Sequence, residues 1–248
     1  MNTLVLRSIS GLVYILLFLG AIYVPRKEVF FMWCALLGIG AALEIRSMFR
    51  LPRQLVFVGS SVILLLAYTS ESKTIFIYAG VIATFLMSIM LLKKCKNNYF
   101  HRYFSPLYAV LGIFNLFLIY QLNPMWCLGI LLLVWTNDSM AYLVGSKIGK
   151  TKVSSISPNK SLEGYIGGIL ATVLVGYFLN QHLPLPHWFI LSLTTSILAN
   201  FGDLVASKMK RLTHVKDSGR VIPGHGGILD RIDSLIYLSP AIYLLLIL

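Results

Sequence analysis

Long apolar runs alternate with short polar connections along the whole chain. A helix needs about 20 apolar residues to cross the hydrocarbon core of a bilayer. Nine runs approach that length: 4–24, 29–49, 54–70, 74–93, 103–121, 125–146, 162–180, 187–207 and 232–248. They are continuous and rich in leucine, which favours helices over strands. The pattern predicts an all-α integral membrane protein, a polytopic bundle of about nine transmembrane helices.

The connections are too short to form a separate soluble domain. Six of the nine carboxylates lie in the second half of the chain. We therefore predict a single membrane domain over residues 1–248. Within it, residues 1–121 form the N-terminal helices and residues 122–248 form the helices and loops in which these acids predict a functional site.

Composition supports a membrane location. The chain has 248 residues, 57% of them hydrophobic and only 12% charged. An ordinary soluble domain is about 25% charged, and one of this length could not bury so much apolar surface. The 21 Lys and Arg outnumber the 9 Asp and Glu. In a membrane protein this excess indicates cytoplasmic loops rather than a nucleic-acid partner.

The basic residues predict the orientation of the helices. Most of them follow the second, fourth, sixth and eighth runs, whereas the other loops hold only Arg26, Lys27 and Lys73. The positive-inside rule places the basic loops and the N-terminus in the cytoplasm. An odd number of spans then places the C-terminus on the opposite side.

Cysteine contributes no recognisable chemistry. Cys34, Cys95 and Cys127 form no CxxC pair, and Cys34 and Cys127 lie inside apolar runs. The pattern predicts buried small apolar side chains rather than a disulfide framework or a thiolate metal site.

Carboxylates are scarce enough to be considered singly. Glu28 and Glu71 lie in short connections, where solvation is expected. Glu44 lies in the second run near Arg46, which favours a structural ion pair or an interfacial position over a functional role. The other six lie in or beside the last four runs and converge on one predicted metal–phosphate site: Asp138, Glu163, Asp203, Asp217, Asp230 and Asp233.

Two acids inside apolar runs predict a polar cavity. Asp138 lies in WTNDSMAYLVG, and a charge at a helix centre costs about 2.5–3.5 kcal/mol on insertion scales. Asp203, Ser207 and Lys210 are spaced i, i+4, i+7 and so share one helix face. That stripe suits a phosphate–metal site. The alternative is a snorkelling Lys210 paired with Asp203 at the helix end.

The loop KDSGRVIPGHGGILDRIDS has the densest polar chemistry in the chain. Its glycines would let the backbone approach a ligand and point N–H groups at it. His225 suits a phosphate contact or loop organisation better than metal ligation. Asp230 and Asp233, without Cys or paired His, favour Mg²⁺ completed by water and substrate phosphates. With Lys216 and Arg231, the loop predicts phosphoryl or nucleotidyl transfer.

This region resembles the signature of the phosphatidate cytidylyltransferase (CDP-diacylglycerol synthase) family. The resemblance continues upstream, with departures at Asn159 and Leu162, where the family usually has Lys and Trp. The matching positions of the signature are Ser207, Lys210, Arg211, Lys216, Asp217, Gly219, Ile222, Pro223, His225, Gly226, Gly227, Asp230, Arg231, Ile232 and Asp233. The upstream ones are Asp138, Ala141, Tyr142, Gly145, Gly149, Lys150, Ser157, Pro158, Lys160, Glu163 and Gly164.

The resemblance implies transfer of CMP from CTP to phosphatidate by a homodimer that depends on Mg²⁺ and a second cation such as K⁺. The short chain, in which no targeting extension is recognised, favours a cytoplasmic (inner) membrane, with an organelle membrane as the alternative. Asp203 and Asp230 would be the metal-site carboxylates, with Asp233 as a further or second-cation group. The other catalytic residues expected are Ser207, Lys210, Lys216 and Asp217. The substrate-binding residues expected are Asp138, Lys160, Arg211, Gly219, His225, Gly226, Gly227 and Arg231.

Two other classes of protein stay open. One is a related CTP-dependent lipid enzyme, such as a polyprenol kinase or a cytidylyltransferase for another lipid phosphate. The other is a transporter or channel, in which acids line a path across the membrane. A transporter predicts acids spread over several central spans and paired broken helices. Here the acids gather near the loops on one side, which favours the enzyme.

Overall fold

The computed structural model describes residues 3–92, 99–158, 160–183, 185–222 and 226–248. These ranges form helices joined by short connections, with no strand beyond two isolated bridges between residues. The helices are α1 (Thr3–Tyr23), α2 (Lys27–Phe49), α3 (Arg53–Thr69), α4 (Thr74–Leu92), α5 (Tyr99–Leu122), α6 (Pro124–Ile148), α7 (Leu162–His182), α8 (Trp188–Leu212) and α9 (Leu229–Ile247). The predicted all-α fold is confirmed.

Each predicted run corresponds to one helix, but some helices extend beyond the apolar part. The helix α5 begins at Tyr99 and so includes His101 and Arg102, while α9 begins at Leu229 and includes Asp230. Apolarity marks only the part of a helix that suits a bilayer. Backbone hydrogen bonding continues into polar residues until a cap or a turn ends it.

Local capping explains where two helices near the site begin. The Asn123 side chain accepts a hydrogen bond from the Met125 backbone N at 2.8 Å, with Pro124 in the first turn of α6. The Ser161 side chain accepts one from the Gly164 backbone N at 3.1 Å and caps α7. Asparagine and serine are preferred at such positions, and proline is tolerated in a first turn.

Among the residues that the structure describes, six helices are long and apolar enough to cross a membrane: α2, α4, α5, α6, α7 and α8. The helix α3 is shorter, with 17 residues, and α9 has three charged side chains in its first five positions. The protein is therefore a multi-pass membrane bundle.

The helix α5 lies at the centre of the bundle. Ile113, Phe114 and Phe117 are fully buried there, and the helix packs against α2, α4 and α9. Apolar side chains on α3 and α4, such as Leu55 and Phe85, are instead exposed on the outside. The chain is thus apolar on both its buried and its outward faces, which is the arrangement expected in lipid.

Small residues let the helices around the site approach each other closely. A Cβ atom on Gly164 would meet the Ala141 carbonyl oxygen at 2.7 Å, and one on Gly168 would meet the Asn137 carbonyl oxygen at 2.9 Å. Both contacts lie between α6 and α7. Gly202 allows the same close approach of α8 to the backbone of α9. Close glycine contacts are typical of packed membrane helices.

Two of the three cysteines agree with the sequence prediction. Cys34 and Cys127 are buried free thiols within apolar helices. Cys95 lies outside the residues that the structure describes.

Candidate active site

A polar cavity of about 740 Å³ opens between α6, α8, the start of α9 and the segment leading into α7. A second cavity of about 360 Å³ lies between α1, α6 and α9. The two cavities share Asp138, Asp230, Arg231 and Asp233 among their lining residues. The larger one is also lined by Asp203 and Lys160. Four of the six predicted acids therefore meet at one place.

Asp203 forms an ion pair with Lys160. Lys160 comes from the segment before α7, and its Nζ lies 5.8 Å from the centre of the Tyr165 ring. The Ser207 hydroxyl donates to Asp203 over a long 3.5 Å. Burial of the ammonium group, together with nearby Lys210, lowers the pKa of Lys160, and Asp138 and Asp233 oppose this effect. Lys160 is therefore a partly buried cation held among acids.

Both oxygens of the Asp230 carboxylate accept hydrogen bonds. Its Oδ1 accepts from Lys210 Nζ at 2.7 Å. Its Oδ2 accepts from the Ser218 backbone N at 2.9 Å, the Ser218 hydroxyl at 3.0 Å and the Gly227 backbone N at 3.0 Å. The alternative in which Lys210 pairs with Asp203 on the same helix is wrong. The partner of Lys210 lies on α9, because the packing of α8 against α9 turns the Lys210 side chain toward it.

A buried amide network supports Asp138. Asp138 is accessible from the cavity, whereas Asn137 beside it is fully buried. The Asn137 Nδ2 donates to Asp138 Oδ1 at 3.2 Å and to Asn200 Oδ1 at 3.1 Å, and Ser196 donates to Asn137 Oδ1. These bonds connect α6 to α8. Sequence reasoning missed this network, although asparagines at 137 and 200 stand next to the acids in otherwise apolar runs.

Glu44 overturns the expectation of an ion pair with Arg46. Glu44 is only 6% exposed, and neither of the two ion pairs found in the described part of the chain includes it. Its carboxylate accepts from the backbone N of Ile228 at 2.8 Å and of Leu229 at 2.9 Å, and from the Ser218 hydroxyl at 2.8 Å. Glu44 thus bonds the start of α9 from a helix that sequence reasoning left outside the site.

The loop glycines lie close to two protein carboxylates. A Cβ atom on Gly219 or Gly227 would collide with the Glu44 carboxylate, so both positions need the absence of a side chain. The Gly227 N–H donates to Asp230 Oδ2 at 3.0 Å. Gly226 has a φ of +88°, which favours glycine. The glycines allow protein carboxylates to reach the loop backbone.

Several predicted residues do not line either cavity. Lys216 and Asp217 are exposed on the loop. Arg211 is exposed, and its Nε donates to the Ile156 carbonyl at 3.4 Å. His225, a predicted substrate contact, lies outside the described residues.

Glu163 organises a loop instead of joining the other acids. Its carboxylate accepts from the backbone N of Lys150 at 3.0 Å and of Thr151 at 3.1 Å. It is absent from the lining of both cavities. The expected convergence of all six acids is therefore wrong for Glu163 and for Asp217. Glu163 instead fixes the segment that presents Lys160.

The donor set fits Mg²⁺ without forming a ready-made cage. Within the described ranges, no three His, Cys, Asp or Glu side chains form a metal-binding group. Asp203 and Asp230 nevertheless border one open polar cavity, each next to an ammonium group. Mg²⁺ in phosphate-processing sites uses one or two carboxylates and completes its shell with water and phosphate oxygens.

The chain matches the model of a family described as "Cytidylyltransferase family" over residues 5–248. It is 49% identical over 118 residues to a phosphatidate cytidylyltransferase of Bacillus subtilis, covering 46% of this chain and 44% of that protein. It is 46% identical over 123 residues to one of Staphylococcus aureus, covering 47% of this chain and 46% of that protein.

A phosphatidate cytidylyltransferase of Synechocystis is 44% identical over 119 residues, covering 46% of this chain and 41% of that protein. The matched segment spans less than half the length of each of these relatives. The family match, by contrast, covers nearly the whole chain together with the cavity described above. The chain belongs to the cytidylyltransferase family.

Proposed function

We propose that this protein transfers CMP from CTP to phosphatidate, forming CDP-diacylglycerol and diphosphate. One observation carries the proposal: four carboxylates and the cations Lys160 and Arg231 face a single cavity at one end of the bundle. Nucleotidyl transfer requires carboxylates that hold a hard cation and positively charged side chains that hold phosphates. The activity of the relatives supports the choice of substrates.

The reaction needs little covalent chemistry from the protein. An oxygen of the lipid phosphate attacks the α-phosphorus of CTP, and a new P–O bond forms. The bond from the α-phosphorus to the bridging oxygen of the β-phosphate breaks, and diphosphate leaves with the electron pair. The lipid phosphate is already anionic, so no base has to remove a proton. Catalysis then consists of positioning and charge neutralisation.

The side chains that line the cavity, and two that bond to its acids, divide these tasks. Lys160, Lys210 and Arg231 would bind phosphate oxygens and hold the triphosphate against the lipid phosphate. Asp203 and Asp230 would hold Mg²⁺, which when bound supplies positive charge that neutralises the phosphates. Asp138 and Asp233 would serve as supporting groups or as ligands of a second cation such as K⁺. Ser207 would help to orient Asp203.

The two adjoining cavities would receive one substrate each. The larger one is lined by polar groups of α6, α8 and the segment before α7, and would receive CTP. The smaller one is lined by Ser10, Gly11 and Tyr14 of α1, and would receive the head group of phosphatidate from the bilayer. Asp138, Asp230 and Asp233 lie where the two cavities meet.

The setting of the reaction belongs to the same proposal. The protein would lie in a cytoplasmic membrane as a homodimer, with its N-terminus and its basic loops in the cytoplasm, where CTP is available. The membrane supplies the lipid substrate and takes up the lipid product.

The purified full chain in lipid nanodiscs tests the activity directly. It is incubated with Mg²⁺, phosphatidate and CTP labelled at either the α- or the γ-phosphate. We expect the lipid fraction to carry the α-label and the released diphosphate to carry the γ-label. A γ-labelled lipid would indicate a kinase. If the α-label entered the lipid only in parallel reactions with another lipid phosphate, that lipid and not phosphatidate would be the substrate. Reactions without phosphatidate are the control, and an unlabelled lipid would refute the proposal.

A further inference from the structure

A carboxylate from the N-terminal half of the chain contacts the start of α9, next to the candidate active site. Glu44 lies on α2, and it lines neither of the two cavities that share Asp230. It is nonetheless buried against the loop before α9, 184 and 185 residues away from its partners Ile228 and Leu229. A carboxylate inside a membrane bundle is unfavourable unless partners compensate it, so its contacts require an explanation.

The contacts are those of a cap at the N-terminus of α9. Glu44 Oε1 accepts from the Ile228 backbone N, and Oε2 accepts from the Leu229 backbone N. These N–H groups belong to the turn that begins α9, where intrahelical acceptors are lacking. Ile228 itself has no side chain that could cap the helix. A negative charge at this end also interacts favourably with the helix dipole.

Ser218 links Glu44 to Asp230. The Ser218 hydroxyl lies 2.8 Å from Glu44 Oε2 and 3.0 Å from Asp230 Oδ2. A hydroxyl has one proton, so it donates to one of the two carboxylates at a time. Asp230 is the second residue of the helix whose first turn Glu44 binds. The position of Asp230 at the cavity therefore depends on Glu44 through both the helix start and Ser218.

We propose that Glu44 is a positioning residue for the transfer reaction. Its carboxylate fixes the start of α9 and Ser218, and thereby directs Asp230 into the cavity. The proposal rests on the proposed function for its kinetic consequences, whereas the structural link between Glu44 and the loop can be measured without any substrate.

The first experiment compares Glu44→Gln and Glu44→Ala with the control Glu28→Gln, which changes an exposed acid at the start of the same helix. Glutamine keeps the shape of the side chain, but only one of its two terminal atoms accepts hydrogen bonds, so we expect kcat to fall about tenfold. Alanine loses all three hydrogen bonds of the Glu44 carboxylate, so we expect kcat to fall about 100-fold. We expect the Mg²⁺ concentration for half-maximal rate to rise, with the KM for phosphatidate within about twofold.

Hydrogen exchange provides a readout that needs neither metal nor substrate. In Glu44→Gln, amides in the peptides that contain Ser218 and residues 226–231 should exchange faster than in the wild-type protein, whereas peptides of α7 should not change. Glu28→Gln should leave all of them unchanged. Wild-type exchange in these peptides together with wild-type kcat would overturn the proposal, as would a loss of rate explained entirely by less folded protein.

A double-mutant cycle with Gly219 tests the contact itself. A Cβ atom at Gly219 meets three Glu44 side-chain atoms as its nearest neighbours. Gly219→Ala should therefore lower the melting temperature in the wild-type background and leave it unchanged in Glu44→Ala. An equal change in melting temperature in both backgrounds would refute the contact between Gly219 and Glu44. If the wild-type protein formed no labelled lipid, the proposed activity would fail, while exchange and melting would still decide the role of Glu44 in the loop.

Discussion

Two lysine–aspartate pairs hold the candidate site together at the residue scale. Lys160 joins the segment before α7 to Asp203 on α8, and Lys210 joins α8 to Asp230 on α9. Both pairs are partly buried, with side-chain exposures of 31% and 24% in the first and 14% and 9% in the second. Removal of one partner leaves a charge with reduced solvation, which costs more than loss of an exposed pair. Changes at these residues should therefore affect both charge balance and geometry.

The substitution Asp230→Asn should abolish CMP transfer while the protein still inserts and folds. An amide keeps the shape but lacks the negative charge that pairs with Lys210 and would hold Mg²⁺. We expect the rate to fall at least about 100-fold, since one charge-based interaction in a transition state contributes on the order of 3–4 kcal/mol. The rate of labelled-lipid formation and the melting temperature are the measurements. Glu71→Gln, in a distant connection, is the control, and wild-type activity of Asp230→Asn would refute the metal assignment.

The pH dependence of CTP binding should report on Lys160. Burial lowers the pKa of its ammonium group, so Lys160 loses its charge at a lower pH than an exposed lysine does. If Lys160 binds a phosphate, the KM for CTP should rise as the pH increases through that lowered pKa.

Lys160→Arg provides the matched variant for this titration. The guanidinium group stays charged throughout the range, so the alkaline rise in KM should disappear even if the absolute rate falls. An unchanged alkaline profile in Lys160→Arg would assign the titration to another group.

At the scale of the elements, close packing of α6 and α7 places Asp138 and Lys160 on the same cavity. Glycines of α7 lie against the backbone of α6, and Asn137 bonds α6 to α8. In lipid, such packing and interhelical hydrogen bonds replace the hydrophobic effect as the cause of helix association. The spacing between these helices is therefore part of the site.

Gly168→Ala should destabilise the bundle. Its new methyl group would lie 2.9 Å from two oxygens of Asn137, which forces α7 away from α6 at an expected cost of about 1–3 kcal/mol. The control is Gly59→Ala on α3, where no atom lies within 4 Å of the added Cβ. Alanine favours a helix over glycine by about 1 kcal/mol, so Gly59→Ala should be neutral or slightly stabilising. Thermal unfolding in detergent measures both, and similar melting temperatures for the two variants would contradict the packing argument.

At the scale of the whole molecule, the N-terminal helices pack against α9, which carries Asp230. Within α9, Ile236 lies against Gly112 of α5, and Tyr237 hydrogen-bonds Ser88 of α4 at 2.6 Å. Glu44 of α2 adds the contact at the start of α9. The division into residues 1–121 and 122–248 stays a prediction, but contacts on both sides of it determine where Asp230 lies.

The orientation of the whole bundle is testable by cysteine labelling. We expect Arg220→Cys to react with a membrane-impermeant maleimide from the cytoplasmic face, because the basic loops belong there by the positive-inside rule. Glu71→Cys should react only from the opposite face. Both are made in a background in which the three native cysteines are replaced by alanine. Right-side-out and inside-out vesicles distinguish the faces, and the reverse labelling would refute the predicted topology.

Much of the site could be predicted from the sequence because its charged residues stand out against apolar helices. Asp138, Asp203, Asp230 and Asp233 all lie at one cavity as expected. Asn137 and Glu44 could not be assigned in this way. An asparagine inside a helix, or a glutamate near an arginine, is compatible with several partners, and the choice depends on which helix faces meet.

The sequence by itself determined the number and approximate position of the helices, since a bilayer requires local runs of apolar residues and local backbone hydrogen bonds. It also determined which residues bear charge inside them. Only the tertiary structure decided the pairing: Lys210 with Asp230 rather than with Asp203, and Glu44 with Ile228 and Leu229 rather than with Arg46. Such partners are set by how helices distant in sequence rotate and pack against one another, and a one-dimensional pattern does not record that arrangement.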